Sequence, residues 1–207
     1  IRVAGDEAHE FLNDLVTTDV AGLAAGTARY GALLTPQGKY LADFIMIGAA
    51  DGVLIDVDAA LAPGLMQRLI MYRLRRKIVI EAAGLTVVQI WGEGAEAAAH
   101  AAGGIGVTDP RGAPLGWRVY APDADAALAA SGASAADRAA WDALRVAPGV
   151  PEAGTELTPD AYILEFGFER LGGVDFRKGC FVGQEVVARM KHKTELRKGM
   201  ARVAVDG

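Results

Sequence analysis

The alternation of apolar and polar positions predicts single helices placed between strands that are linked mainly by hairpins. It predicts helices over residues 6–16 and 58–74, and strands over residues 28–35, 39–47, 53–57, 77–82 and 85–91. The first two strands are joined by Thr35-Pro36-Gln37-Gly38, a tetrapeptide typical of a tight turn. Because the strands are linked mainly by hairpins, the first ninety residues favour an α+β fold over a doubly wound parallel sheet.

The rest of the chain is alanine-rich and then becomes turn-rich. Helices are predicted for residues 93–102 and 133–147, on either side of a strand at 115–120. A connector follows over 148–160, then a short apolar run at 162–168. No internal repeat or low-complexity linker divides the sequence, so we expect one continuous domain built from two lobes.

Composition narrows the classes of protein. The formal net charge is −5, which does not favour nucleic acid or an anionic membrane as a partner. No apolar run approaches the length of a membrane span. A single cysteine excludes an internal disulfide and, with no targeting segment visible, indicates a reducing cytoplasm. The chain begins without Met and ends within a strand-like run, so we expect a longer gene product.

Positive charge is concentrated near the end of the chain. Residues 170–202 hold nine Lys and Arg against three Asp and Glu, a net charge of +6. This cluster is either a solvated helix face or a site for an anionic ligand.

The only cysteine lies in the most informative segment, Lys178-Gly179-Cys180-Phe181-Val182-Gly183-Gln184-Glu185. Periodicity predicts a helix from about Val182, which would place Cys180 near a helix N-terminus and beside Lys178. Both features lower a thiol pKa, so a reactive thiolate is expected. The alternative is a buried cysteine acting as a small apolar residue. The three histidines are far apart in sequence, so neither a metal site nor a base for a thiol hydrolase is predicted.

Asp43 stands in an otherwise apolar strand. It either faces solvent or accepts paired N–H donors from a heterocycle such as a pterin. Aromatic residues that could stack on such a ring include Tyr30, Tyr72 and Trp117, although aromatics in strands are more often core residues.

The cysteine segment resembles the K-G-C-[FY]-x-G-Q-E signature of the YgfZ-type folate-binding proteins, which are relatives of the glycine-cleavage T-protein. Three further stretches, 11–20, 33–43 and 144–151, resemble family blocks in the same order. The resemblance implies a two-lobed folate-binding α+β domain of the T-protein type over residues 1–194, with lobes at about 1–92 and 93–194. It also implies the start of a small C-terminal β-barrel at 195–207.

The resemblance further implies a cytoplasmic accessory protein that binds tetrahydrofolate and supports iron–sulfur cluster assembly or repair, including iron–sulfur enzymes of tRNA modification. Its expected partners are folate and iron–sulfur client proteins, with no metal, nucleic acid or membrane. The catalytic candidates are Cys180 and Lys178. The cofactor-binding candidates are Asn13, Gln37, Asp43, Tyr72, Trp117, Arg118 and Gln184. Either Arg118 or Lys178 with its neighbours is expected to meet the folate tail, and Tyr72 and Trp117 are expected to line its channel.

Two departures from the T-protein bear on activity. Its acidic pair is matched here by Ala42 and Asp43, and Arg118 stands where a pterin-binding Glu is expected. Aminomethyl transfer is therefore disfavoured, and an accessory role is favoured over an enzyme. The alternative remains a folate-dependent aminomethyl or one-carbon transferase that uses Asp43.

Overall fold

The computed structural model describes residues 1–193, 196 and 198–203, which form an α+β fold with two antiparallel sheets. In chain order the elements are β1 (Arg2–Ala4), α1 (Ala8–Asn13), β2 (Ala28–Leu34), β3 (Tyr40–Ala49), β4 (Gly52–Val57), α2 (Ala62–Arg73), β5 (Val79–Glu81), β6 (Thr86–Ile90), α3 (Ala95–Ala102), β7 (Ile105–Thr108), β8 (Trp117–Ala121), α4 (Ala124–Ser131), α5 (Arg138–Val146) and α6 (Gln184–Lys193). The first sheet has the order β2-β3-β4-β1-β5, and the second has the order β6-β8-β7.

The five-stranded sheet is buried on both faces. Phe44 and Leu33 pack with α1 and α2 on one face, while Tyr30 and Ile45 pack with the C-terminal segment around Phe168 on the other. Successive side chains of a strand point to opposite faces. Asp43, between Ala42 and Phe44, therefore lies on the same face as Ile45, toward the second sheet.

The predicted hairpin is confirmed. Gly38 donates its N–H to the Thr35 carbonyl at 2.8 Å, and the backbone φ of Gly38 is +75°. Glycine adopts this conformation without the steric penalty of a Cβ. The turn therefore fixes the pairing of β2 with β3, in which Asp43 lies opposite Ala32.

The prediction for residues 103–147 is partly wrong. The glycine-rich stretch after α3 forms strand β7, and α4 was not predicted. Helix α5 covers only Arg138–Val146 of the predicted 133–147, because the Asp137 carboxylate caps its N-terminus by accepting the Ala140 N–H at 2.8 Å. The alanine-rich composition spans two helices and the loop between them, so it does not show where either helix begins.

The C-terminal part contains little regular structure before α6. The apolar run 162–168 contains a 3₁₀ turn over Ile163–Phe166. In the segment predicted to begin a β-barrel, residues 195, 197 and 204–207 lie outside the described residues, and 198–203 contain no strand. The barrel remains a prediction.

Hydrogen bonds fasten the stretch just before the cysteine segment to the loop after α1. The buried Thr17 hydroxyl donates to the Gly173 carbonyl at 2.6 Å and accepts the Ala32 N–H at 2.9 Å. The Asp175 N–H donates to the Thr17 carbonyl at 2.9 Å. One side chain thus joins the first strand of the hairpin to a segment more than 150 residues later in the chain.

Thr17→Val, which keeps the shape but removes the hydroxyl, leaves two buried backbone groups without partners. We expect the free energy of unfolding to fall by about 2–4 kcal/mol. Thr18→Val is the matched control, because the Thr18 hydroxyl makes only a 3.5 Å contact with the Gly172 carbonyl. Denaturant unfolding of both variants measures the difference, and equal losses would contradict the role given to Thr17.

Candidate functional site

A cavity of about 410 Å³ lies where the two sheets face each other. The first sheet contributes residues of β2, β3 and β4, and the second contributes residues of β6, β8 and the loop before β8. Its polar lining residues are Tyr30, Asp43, Asp56, Asp58, Gln89, Arg111, Arg118 and Glu152. The cavity is therefore lined by several carboxylates and two arginines.

Two tyrosines hold the Asp43 carboxylate. The Tyr30 hydroxyl donates to Oδ2 at 2.8 Å, and the Tyr40 hydroxyl donates to Oδ1 at 2.7 Å. Burial raises the pKa of Asp43, although the tyrosine hydrogen bonds and the nearby Arg111 charge act in the opposite direction. Burial and the Asp43 charge likewise raise the pKa values of Tyr30 and Tyr40. Both tyrosines therefore act as hydroxyl donors at neutral pH.

Arg118 joins the two sheets through buried ion pairs. Its guanidinium lies 2.6 Å from the Asp56 carboxylate on β4 and 3.5 Å from the Asp109 carboxylate after β7. It also donates to the Gln89 amide oxygen at 2.5 Å. Burial alone would lower the pKa of Arg118, but the Asp56 charge and its neighbours raise it, so the guanidinium stays charged.

Arg111 extends this chain of charges toward Asp43. It forms a bidentate pair with Asp109, at 2.9 and 2.6 Å, and its guanidinium carbon lies 5.8 Å from the centre of the Tyr30 ring. Burial would raise the pKa of Asp109, but the Arg111 hydrogen bonds and charge hold it below its usual value. Both arginines of the cavity are therefore paired with carboxylates. The expectation that Arg118 meets an anionic tail is not supported by this geometry, because its charge is already matched by Asp56 and Asp109.

Cys180 lies on the surface, away from the residues that line this cavity. Lys178 is half-buried, and its ammonium donates to the Asn13 carbonyl and, at 2.9 Å, to the Val16 carbonyl. Burial lowers the pKa of Lys178, despite the opposing charges of nearby carboxylates. This contact fastens the segment to the end of α1, so the predicted role of Lys178 at the folate tail is not supported. Helix α6 begins at Gln184, so the predicted position of Cys180 beside a helix N-terminus is also wrong.

Comparison with known families identifies the first half of the chain. The family described as GCVT N-terminal domain matches residues 1–104. The chain belongs to this family. The fold agrees, because the structure of the glycine cleavage system aminomethyltransferase T from Bartonella henselae superposes with a TM-score of 0.75 over 92% of this chain and 60% of that one, at 22% identity. The predicted T-protein type of α+β fold is confirmed.

Curated relatives of this GCVT-domain chain include the iron–sulfur cluster assembly factor IBA57, mitochondrial, from Homo sapiens, 33% identical over 96% of this chain and 62% of the relative. The tRNA-modifying protein YgfZ from Vibrio vulnificus is 29% identical over 99% of this chain and 67% of the relative. These matches confirm the predicted YgfZ-type relationship. The chain spans about 60% of the length of the first relatives it matches.

The expected cytoplasmic location is contradicted by these relatives. The human, mouse and Pyricularia oryzae proteins are all named as mitochondrial. A single cysteine and the lack of a visible targeting segment therefore do not identify the compartment of a protein in this GCVT-domain family. Among the described residues, every helix is too short or too polar to cross a bilayer.

The structure separates the predicted folate-binding residues into different places. Asp43 and Arg118 line the same cavity. Tyr72 lies on α2 beside Arg73, and the Trp117 ring packs 5.4 Å from His100, so neither lines a channel next to Asp43. Gln37 is exposed in the hairpin turn.

The other two predicted folate-binding residues, Asn13 and Gln184, lie in or near the cysteine segment and not at the cavity. The Asn13 amide oxygen accepts the Val20 N–H at 3.0 Å, and Gln184 begins α6. Sequence reasoning missed Asp56, Asp109 and Arg111. Asp109-Pro110-Arg111 offered a local signal, since an acid and a base two residues apart around a proline pair readily in a turn.

Asp43→Asn tests the burial of the carboxylate. In the folded state the pKa of Asp43 is raised above 3.8, the value of the free carboxyl group. Between these two pKa values the folded state retains a proton that the unfolded state has lost, so the stability of the wild type falls as the pH rises. The neutral amide avoids this loss. We expect the free energy of unfolding of the variant, minus that of the wild type, to be larger at pH 7 than at pH 4, so that the variant gains stability relative to the wild type as the pH rises. A difference that does not vary with pH would show that Asp43 is solvated.

Proposed function

We propose that this chain is a tetrahydrofolate-binding accessory protein that supports iron–sulfur cluster assembly or repair, including iron–sulfur enzymes of tRNA modification. The observation that carries the proposal is a held carboxylate, Asp43, in the inter-sheet cavity of a GCVT-type fold, together with a separate exposed thiol, Cys180. Two of its relatives are named as an iron–sulfur cluster assembly factor and a tRNA-modifying protein, and these names support the same proposal.

The cavity residues suit the pterin head of a folate. Its volume of about 410 Å³ lies within the range of small-molecule sites. Asp43 supplies a fixed acceptor for neighbouring N–H groups, and Tyr30, Val57 and Val87 supply apolar surface. Tetrahydrofolate would bring one-carbon chemistry to this site.

The same cavity does not suit the carboxylated tail. Asp58 and Glu152 line it, and both arginines are paired with other carboxylates. Like charges repel strongly where solvent is excluded. We therefore assign only the head of the ligand to the cavity, with its tail directed to solvent.

Cys180 is proposed to serve in iron–sulfur cluster assembly as a ligand to iron. A thiolate is a soft ligand for iron, but one thiolate cannot hold a cluster alone. The neighbours of Cys180 are fixed, since Lys178 is bonded to α1 and the Phe181 side chain is buried. A client protein would supply the remaining ligands to an exposed sulfur held in a defined position.

Titration of the purified protein with tetrahydrofolate tests the cavity, and Trp141, which lines it, provides a fluorescence signal. We expect Asp43→Asn to weaken binding by about 1.5–3 kcal/mol, or roughly 10- to 150-fold, the loss typical of a charged hydrogen bond. Asp125→Asn, on the exposed side of α4, is the matched control and leaves affinity unchanged. Lys178→Ala also leaves it unchanged. Equal affinities of Asp43→Asn and wild type would place the ligand elsewhere.

Rescue of a strain that lacks its own relative tests the thiol. We expect wild type to restore the activity of iron–sulfur enzymes and Cys180→Ala to restore none, while both bind tetrahydrofolate equally. Arg177→Ala is the control, because that side chain is 93% exposed and lies in the same stretch of chain, next to the anchored Lys178. Full rescue by Cys180→Ala would remove the thiol from the function.

One observation favours the alternative of an aminomethyl or one-carbon transferase. Burial raises the pKa of Asp43, and a carboxylate with a raised pKa is a better proton acceptor during catalysis. Release of ammonia and methylenetetrahydrofolate from an aminomethylated carrier protein, lost in Asp43→Asn, would establish this activity. No release at saturating tetrahydrofolate would exclude it.

A further inference from the structure

The exposed face of α2 combines apolar side chains with positive charge. Leu65 and Leu69 are buried on its inner face, while Ile70 and Met71 lie on the opposite face with exposed fractions of 46% and 59%. Leu74, directly after the helix, is 84% exposed. We call Ile70, Met71 and Leu74, together with Arg68 and Arg75, the α2 patch.

The charge of the α2 patch is of one sign. The chain between Asp58 and Glu81 contains five Lys and Arg and no carboxylate. Arg76 is matched by acids of α1, with Asp14 at 2.6 Å. Arg68 and Arg75, by contrast, form no ion pair with any carboxylate in the part of the chain that the structure describes. Their charge is therefore available to an acidic partner.

The backbone conformation of Leu74 is a second observation at the α2 patch, independent of its charge. It has a backbone φ of +50° and ψ of −111°, and it is the one non-glycine residue with positive φ in the described chain. Glycine adopts this conformation readily, whereas leucine is strained in it. Because the Leu74 side chain is exposed, little packing within the chain offsets that strain. Strained backbone conformations recur at binding sites and switch regions, so the conformation of Leu74 marks this surface for a role beyond stability.

We propose that the α2 patch docks an acidic, amphipathic helix of a partner protein. Ile70, Met71 and Leu74 form an apolar centre, and Arg68 and Arg75 form a basic rim, the arrangement found at protein–protein contacts. An exposed apolar centre does not match RNA, which is bound mainly through its phosphates. Three apolar side chains at the end of one helix also give too little surface for stable docking on a membrane. The inference depends on neither Asp43 nor Cys180.

Fluorescence anisotropy with a labelled helical peptide of Leu and Glu, with Leu at i, i+3, i+4 and i+7, tests the proposal on the whole chain. The comparators are the same peptide with Lys in place of Glu, and with Ser in place of Leu. We expect binding of the Leu–Glu peptide only, weakened by salt because the rim acts through charge. Arg75→Glu and Leu74→Gly should each weaken binding at least tenfold.

Leu74→Gly separates recognition from folding. Since glycine relieves the strained backbone, we expect its midpoint of thermal unfolding to equal or exceed that of wild type, by up to about 4 °C. The control is Val146→Ala, because Val146 is an exposed apolar residue on α5 and, unlike the exposed Val87, does not line the inter-sheet cavity. We expect it to leave peptide binding unchanged.

Three results would overturn the proposal: no binding of the Leu–Glu peptide, binding that the patch variants do not weaken, or equal binding of the Leu–Lys peptide. Binding of anionic phospholipid vesicles or of an RNA hairpin, without binding of the peptide, would also overturn it. In the rescue strain, Leu74→Gly and Arg75→Glu should fail while they retain tetrahydrofolate binding and alkylation of Cys180. Failure of Cys180→Ala or Asp43→Asn to behave as expected leaves the peptide result unaffected, so the two proposals can fail separately.

Discussion

The buried pairing of Arg118 with Asp56 and Asp109 is the interaction on which the arrangement of the two sheets depends. Asp56 belongs to the five-stranded sheet, while Arg118 and Asp109 belong to the three-stranded sheet and its loop. Charges removed from water are stable only when they are paired and hydrogen-bonded. A shift of one sheet against the other that kept these groups buried would leave charges without partners, so the pairing favours this packing of the sheets and thereby shapes the cavity.

The cavity and the cysteine segment are held by different kinds of interaction. Ion pairs between side chains surround the cavity, whereas the cysteine segment is held by contacts to backbone groups, as where the Lys178 ammonium donates to the Val16 carbonyl and the Val182 N–H donates to the Leu15 carbonyl. An ion pair needs two matching side chains, but a contact to a backbone group needs at most one. The cavity therefore depends more strongly on the identity of its residues than the cysteine segment does.

The sequence allowed prediction of the parts that local chemistry determines. Pro36 and Gly38 marked the hairpin turn, and the alternation around Asp43 indicated an unusual carboxylate in an apolar strand. The partners of Arg118 were not predictable, because Asp56 is 62 residues away and only the packing of two sheets brings them together. Helix α4 was missed because alanine has high helix propensity throughout a long stretch and so marks no boundary. Cys180 was placed too close to α6, because the periodicity from Val182 does not reveal that Phe181 is drawn into the core.

Close contact between the hairpin turn and the cysteine segment has an evolutionary consequence. A Cβ on Gly38 would lie 2.8 Å from the Val186 Cβ, and one on Gly183 would lie 2.6 Å from the Thr35 carbonyl oxygen. Each segment therefore excludes a side chain on the glycine of the other. A smaller residue at position 186 would not relieve the first clash, because every residue except glycine carries a Cβ, and both glycines also have a positive φ, +75° and +83°. We therefore expect related sequences to retain the two glycines together, although they lie almost 150 positions apart, since a side chain on either one would push the hairpin turn away from the cysteine segment.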